Sequence, residues 1–142
     1  MRKSKKIITI SLLAFIVTAY LIVNLPRQPV IIHNKLILVE LAQTQAERIK
    51  GLQGRTSLGR NRGMLFIFDQ EDYLRFWMKD TLIPLSIAFI DKHKKIVDIQ
   101  RMEPRRSDII YISSKKSKYA LEMNAGWFEK NGIKPRQRLI FW

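Results

Sequence analysis

The chain has 142 residues, 46% of them apolar, and a formal net charge of +14 at pH 7. That length holds one ordinary domain with a short remainder, and that apolar share excludes wholesale disorder. The absence of cysteine excludes a disulfide framework, a thiolate nucleophile, a cysteine-ligated zinc and a lipid-modified amino-terminal cysteine.

The chain opens on a basic tip, residues 1–6, carrying Arg2, Lys3, Lys5 and Lys6. An uncharged run of 19 residues follows, Ile7 to Leu25. As a helix it would reach about 28 Å, enough to cross the hydrocarbon of a bilayer. The run reads as one uncleaved transmembrane anchor, because its hydrophobicity continues through Tyr20 to Leu25 without a polar region before a cut. Val17-Thr18-Ala19 offers the alternative of a cleaved signal peptide, which would make the protein secreted. Four cations before the run and only Arg27 just after it place the amino terminus in the cytoplasm and the remainder outside the cell membrane. Without the tip the charge is +10, since all twelve acids lie beyond residue 39. Such a domain is drawn to anionic polymers or lipid headgroups, although the same charge also serves plain solubility.

Pro26 and Pro29 suit an extended linker over residues 26–34, ahead of a β-rich domain over 35–142. KLILVELAQT reads as a strand, and Thr44-Gln45-Ala46-Glu47 has the spacing of a capping box that opens a short helix ending at Gly51 or Gly54. GRTSLGRNRG is a loop. GMLFIFD is apolar on both alternating faces, as in a strand buried between two layers. DQEDY turns the chain, YLRFWMKD begins another strand, and LSIAFID with KIVDIQ forms a hairpin whose tip is Asp91 to Lys94. RRSDIIYISSKKSK is a basic connector, YALEMN a strand, AGWFEKNG a helical turn or two, and RLIFW a last strand. Many short strands with one or two short helices and no repeat predict a single mainly β domain, an antiparallel sandwich or barrel.

GMLFIF, FWMKDT, IPLSIAFID and ALEMNAGWFEKNGI, in this order and together with ERIKGL, resemble the family of uncharacterised exported or membrane-anchored proteins called domain of unknown function 192. The resemblance runs from about Lys35 to Phe141. It implies a compact, jelly-roll-like β fold and no settled activity. Two positions depart from the family pattern. Many relatives carry an acid where this chain has Ser86, and glycine followed by an acid where it has Arg136-Gln137, so an acidic site that needed the first position would lack one carboxylate.

Alternation in FWMKDT predicts Leu74, Phe76 and Met78 on a core face and Tyr73, Arg75, Trp77, Lys79 and Thr81 on the other. An aromatic between cations can stack on a sugar ring and hold an acid or phosphate, whereas a plain edge strand uses the same cations to block pairing. Glu122 alternates away from Tyr119, Leu121 and Met123. It either neutralises Lys79 or Arg75, or completes a polar pocket with Lys79, Asp80, Thr81 and Asn124, where a desolvated carboxyl can move a proton. The candidate ligand-binding residues are therefore Arg75, Trp77, Lys79, Asp80, Thr81, Glu122 and Asn124, with Glu122 and Asp80 as the weaker catalytic pair.

No metal or cofactor is expected. His33 and His93 stand alone, Asp69, Glu71 and Asp72 miss the calcium-loop spacing, and Met64, Met78 and Met123 fit core strands. GRNRG lacks the ending of a nucleotide loop, and no aromatic and base-reading pattern points to nucleic acid. The expected function is a membrane-anchored outer domain that binds an envelope ligand or partner. The alternatives are a hydrolase of an envelope polymer using Glu122 as acid or base, and a structural interaction module with no ligand pocket.

Overall fold

The computed structural model describes residues 27–142. The tip and the anchor read over 7–25 lie outside the described residues; among those described, no helix is long and apolar enough to cross a membrane.

The chain first makes β1 (Gln28–Ile32) and β2 (Lys35–Ala42), then α1 (Gln45–Lys50) and β3 (Arg62–Asp72). After them come β4 (Arg75–Phe76), β5 (Leu85–Ile90), β6 (Ile96–Met102) and β7 (Tyr111–Ile112). The last elements are β8 (Ser117–Asn124), α2 (Trp127–Lys130) and β9 (Leu139–Ile140). Seven strands form one sheet in the order β6-β5-β8-β3-β2-β1-β9, and β4 pairs with β7 apart from it. The sheet curls so far that a bridge between Lys95 and Arg138 joins its two edges, giving a half-barrel.

This agrees with the expected mainly β fold and corrects the expected antiparallel, jelly-roll-like sandwich or barrel in one respect of connection. Every neighbouring pair is antiparallel except β2 and β3, which run parallel with Leu38 opposite Arg62 and Ala42 opposite Phe66. Parallel neighbours need a long crossover, and residues 43–61, containing α1, supply it. Thr44 caps that helix as its spacing predicts, accepting from Glu47 N while the Glu47 carboxylate accepts from Thr44 N, and Gly51 ends it at φ 45°.

The expected linker is also partly strand. Gln28–Ile32 pairs with β2 along its length, while β9 covers only Ile31 and Ile32. Pro29 is tolerated because its outer side has no strand to bond. His33 therefore sits in the tight β1–β2 turn at φ 56°, not in a tether. DQED continues β3 past an irregularity in its pairing with β8 instead of turning.

GMLFIFD is covered on both faces, as its pattern predicts. On the enclosed face Leu65 joins Val30, Ile37, Ala88, Leu121, Met123 and Leu139, capped by Trp127 and Phe128 of α2. On the outer face Met64 and Phe66 pack with Leu85, Ile87, Phe89 and Ala120 under Leu52 of the crossover and Leu74, Phe76 and Met78 of the β4 segment.

Arg136 explains one departure from the family pattern. It adopts φ 76°, a conformation that glycine reaches without strain. Arg136→Gly is expected to raise stability by about 0.5–1 kcal/mol, read as a higher midpoint in urea. Gln137 takes the place of the acid, its Oε1 accepting from Lys134 N at 3.0 Å.

Candidate functional site

Glu122 lies on β8 between Met64 of β3 and Ile87 of β5, at the centre of the sheet. Its side chain projects to the outer face, beside Ala120. There it is 4% exposed and makes no hydrogen bond or ion pair with any described residue. Burial without compensation pushes its pKa up to about 8, so the carboxyl holds its proton at neutral pH. A lone acid in a strand core is costly unless it faces something, and this one faces a cavity.

The cavity measures about 380 Å³ and opens between the crossover and the β4 segment. Its volume suits a small organic molecule. Phe66, Phe68, Phe76 and Trp77 supply aromatic wall, Arg48, Lys50 and Arg75 supply cations, and Gln45, Gln53, Thr81 and Glu122 supply hydrogen-bonding groups. Phe66 meets Phe76 edge to face at 4.9 Å between centroids, and Phe89 backs Phe76 at 5.8 Å, so the aromatic wall is braced from below. Arg48 is held in place by donating to the carbonyls of Gln43 and Ile67, with its guanidinium 4.9 Å from the Phe68 ring centroid. It has no carboxylate partner within ion-pair distance among the described residues, which leaves its charge for a ligand.

The structure divides FWMKDT further than alternation does. Leu74, Phe76 and Met78 are buried as predicted, and Arg75 and Trp77, the latter 46% exposed, stand at the cavity wall. Asp80 adopts φ 53°, which turns the chain, and Thr81 is buried at the cavity wall with Arg75 and Trp77. A bond from Gly54 N to Asp80 O, 2.9 Å, ties this turn to the crossover and so fixes the two walls together. Lys79 and Asp80 are exposed and do not line the cavity.

Asn124 is committed elsewhere, its Nδ2 donating to Leu58 O at 3.0 Å and Gly59 O at 3.1 Å. Of the seven candidate positions the cavity thus gathers Arg75, Trp77, Thr81 and Glu122. Neither Lys79 nor Arg75 forms an ion pair with Glu122. Gln45, Arg48 and Gln53 come from the segment read as a short helix ending at Gly51 or Gly54, and Phe68 from the strand GMLFIFD. The sequence offered only the polar composition of α1, QAERIK, as a signal, and in the structure no residue of that helix is buried.

Ser86 does not weaken this site. It lies opposite Met123 on the enclosed face, where its Oγ accepts from Gly126 N at 3.0 Å and steadies the start of α2. An acid there would be across the sheet from Glu122. Glu122 is the one acid among the cavity-lining residues. Among the described residues no three or more histidine, aspartate or glutamate side chains come together to hold a metal.

A half-barrel bearing one cation-lined aromatic pocket over an unpaired acid defines a small β domain with a ligand-sized site. The chain belongs to the family called domain of unknown function 192, described as uncharacterized ACR, which it matches over residues 30–141. Among solved structures it is similar to a Novosphingobium aromaticivorans protein of unknown function. The two are 32% identical with a TM-score of 0.77, over 81% of this chain and 85% of that one. It is similar as well to a Sinorhizobium meliloti protein described as a candidate transcription regulator, at 32% identity and TM-score 0.77, over 80% of this chain and 92% of that one. No curated protein matches the chain.

Proposed function

We propose that the protein is a membrane-anchored, outward-facing binding domain whose pocket takes a small anionic sugar, of the kind carried by envelope polymers. The supporting observation is the protonated, unpaired Glu122 at the floor of a cavity walled by aromatics and cations. Trp77 stacks on the sugar ring, Arg75 and Arg48 hold its acid or phosphate, and the Glu122 hydroxyl donates to a ring or hydroxyl oxygen. Apolar walls strengthen these bonds by excluding water.

Calorimetry of the full chain with glucose 1-phosphate, glucuronate and uncharged glucose tests this reading. The two anions are expected to bind and glucose to fail. Trp77→Ala and Arg75→Ala should each weaken glucose 1-phosphate by about tenfold, roughly 1.4 kcal/mol. Lys79→Ala, outside the cavity, should leave it unchanged. Equal binding of glucose, or equal loss in Lys79→Ala, would refute the site.

A second reading, hydrolysis with Glu122 as general acid, draws on its retained proton. Against a two-carboxylate mechanism, Asp80 is exposed and outside the cavity. Release of reducing sugar from an acidic polymer, lost in Glu122→Gln, would select this reading over binding alone.

A further inference from the structure

Away from the pocket, the crossover covers the outer face of β2 at Ala42 but leaves exposed the part of the outer face that carries Leu36 of β2, Ile31 of β1 and Ile140 of β9. Alternation sends Val30, Ile32, Ile37 and Val39 into the enclosed core, so Pro29, Ile31, Leu36 and Leu38 point out. Register aligns them: Pro29 is opposite Leu38, and Ile31 is opposite both Leu36 and Ile140. Ile31, Leu36 and Ile140 are 42%, 58% and 64% exposed, a row of aliphatic side chains across three adjacent strands. Isolated exposed leucines need no explanation, but a contiguous row on an edge does.

Two further observations identify what covers it. The row is continuous with exposed cations, because Arg138 shares the face of Ile140 and is bridged to Lys95. Glu40, the acid of β2 on that face, is already engaged by Arg55 at 2.6 Å and by Arg27 at 3.6 Å, and the Asp91 carboxylate beside Lys95 accepts from the Lys95 and His93 backbone amides at 2.9 and 2.8 Å. The second observation is the sequence that precedes the described residues. The apolar run of residues 7–25 ends two residues before Arg27, a reach of about 7 Å at most. The strand carrying the apolar row therefore begins at the level where that run ends.

We propose that this face of β2, β1 and β9 lies on an anionic phospholipid surface, with Ile31, Leu36 and Ile140 in the headgroup–acyl boundary and Lys95 and Arg138 at lipid phosphates. The proposal rests on the anchored reading of residues 7–25. Short aliphatic chains flanked by cations are what an interfacial contact uses, each cation near the surface adding attraction to anionic lipid. A tether this short makes the contact effectively intramolecular, so a small patch suffices. A stable second copy would instead need about 800 Å² on each partner, more than three exposed aliphatic side chains provide.

The test uses the full chain in phosphatidylglycerol and in phosphatidylcholine vesicles. Because the native chain has no cysteine, single nitroxides can be placed by Leu36→Cys, Ile140→Cys and, as a control at the hairpin tip, His93→Cys. The chain is expected to float with both vesicle types. On phosphatidylglycerol the labels at 36 and 140 should lose collisions with a water-soluble nickel chelate and gain them with oxygen, while the label at 93 stays wet. Lys95→Glu with Arg138→Glu, or about 1 M salt, which cuts the screening length to about 3 Å, should reverse that change. A floating chain with wet labels at 36 and 140 overturns the docking and leaves the anchor standing. A chain that does not float overturns both. Shielding that is the same in both lipids, with spin–spin broadening between labels, shows a second copy on the patch and overturns the lipid assignment.

Discussion

Raising the pH from about 5 to about 9 is expected to cost the folded chain stability through Glu122, and Glu122→Gln to remove most of that dependence. The folded carboxyl titrates at about 8 where an unburied one titrates at 4.5, because burial disfavours its charge. Below 4.5 the acid carries its proton folded or unfolded, and its full contribution is present. As pH rises past 4.5 the unfolded chain releases that proton while the folded chain keeps it, so unfolding becomes progressively easier. Once pH exceeds about 8 both forms are ionised and the loss is complete, on the order of 4–5 kcal/mol.

Glutamine keeps the shape and never ionises, so the variant should unfold at nearly constant urea concentration across this window and outlast the parent near pH 9. Parallel profiles for the two proteins would show that Glu122 is solvated. Glu47, Glu71 and Asp108 do not confuse the result. Hydrogen bonds from Thr44, Lys92 and Arg106 respectively lower their pKa values, so their effects fall at the acid end.

Gly63→Ala is expected to be the most damaging small substitution near the site. Gly63 of β3 lies opposite Met123, and an added Cβ would come within 2.5 Å of Met123 Sδ and closer still to the Glu122 carbonyl oxygen. A backbone atom in the central strand cannot rotate away, so β3 and β8 must separate. Overpacking of that kind costs about 3 kcal/mol, a melting temperature lower by roughly 10–20 °C. Gly54→Ala provides the contrast. Its φ of +73° penalises a side chain, but nothing lies within 4 Å of the added Cβ. It should cost only about 1–2 kcal/mol. Equal melting losses in the two variants would mean that backbone strain, not strand approach, governs position 63.

The central strands were legible because their chemistry is local. GMLFIFD is apolar on both alternating faces, and its burial on both sides of the sheet follows directly, while LSIAFID and KIVDIQ pair as the hairpin their turn predicts. The capping box at Thr44 specified α1 in the same way. Glu122 stood out as an acid amid apolar strand residues, and alternation placed it on the right face.

What could not be read was direction and coverage. Periodicity is the same whether neighbouring strands run parallel or antiparallel, so the crossover that makes β2 and β3 parallel was invisible, and with it the wall containing Gln45, Arg48 and Gln53. Alternation also assumes an unbroken strand. It held for Leu74, Phe76 and Met78 in the core and for Arg75, Trp77 and Thr81 at the cavity, and failed at Lys79, which is exposed outside the cavity next to the left-handed Asp80. Asn124 shares a face with Glu122, yet the crossover loop captures its amide before it can reach the cavity. Ser86 illustrates the converse: a departure from the family pattern that would cost a carboxylate to an acidic site built on that position lies across the sheet from Glu122.

The measurement that bears most directly on the pocket is a carbon-13 NMR titration of the Glu122 side-chain carboxyl, alone and with glucose 1-phosphate. A buried acid that floors a ligand site should titrate near pH 8, well above the other glutamates, and its resonance should shift when the phosphosugar is added. A carboxyl that titrates near 4.5 and ignores the phosphosugar would contradict both the buried, protonated state and the site built on it.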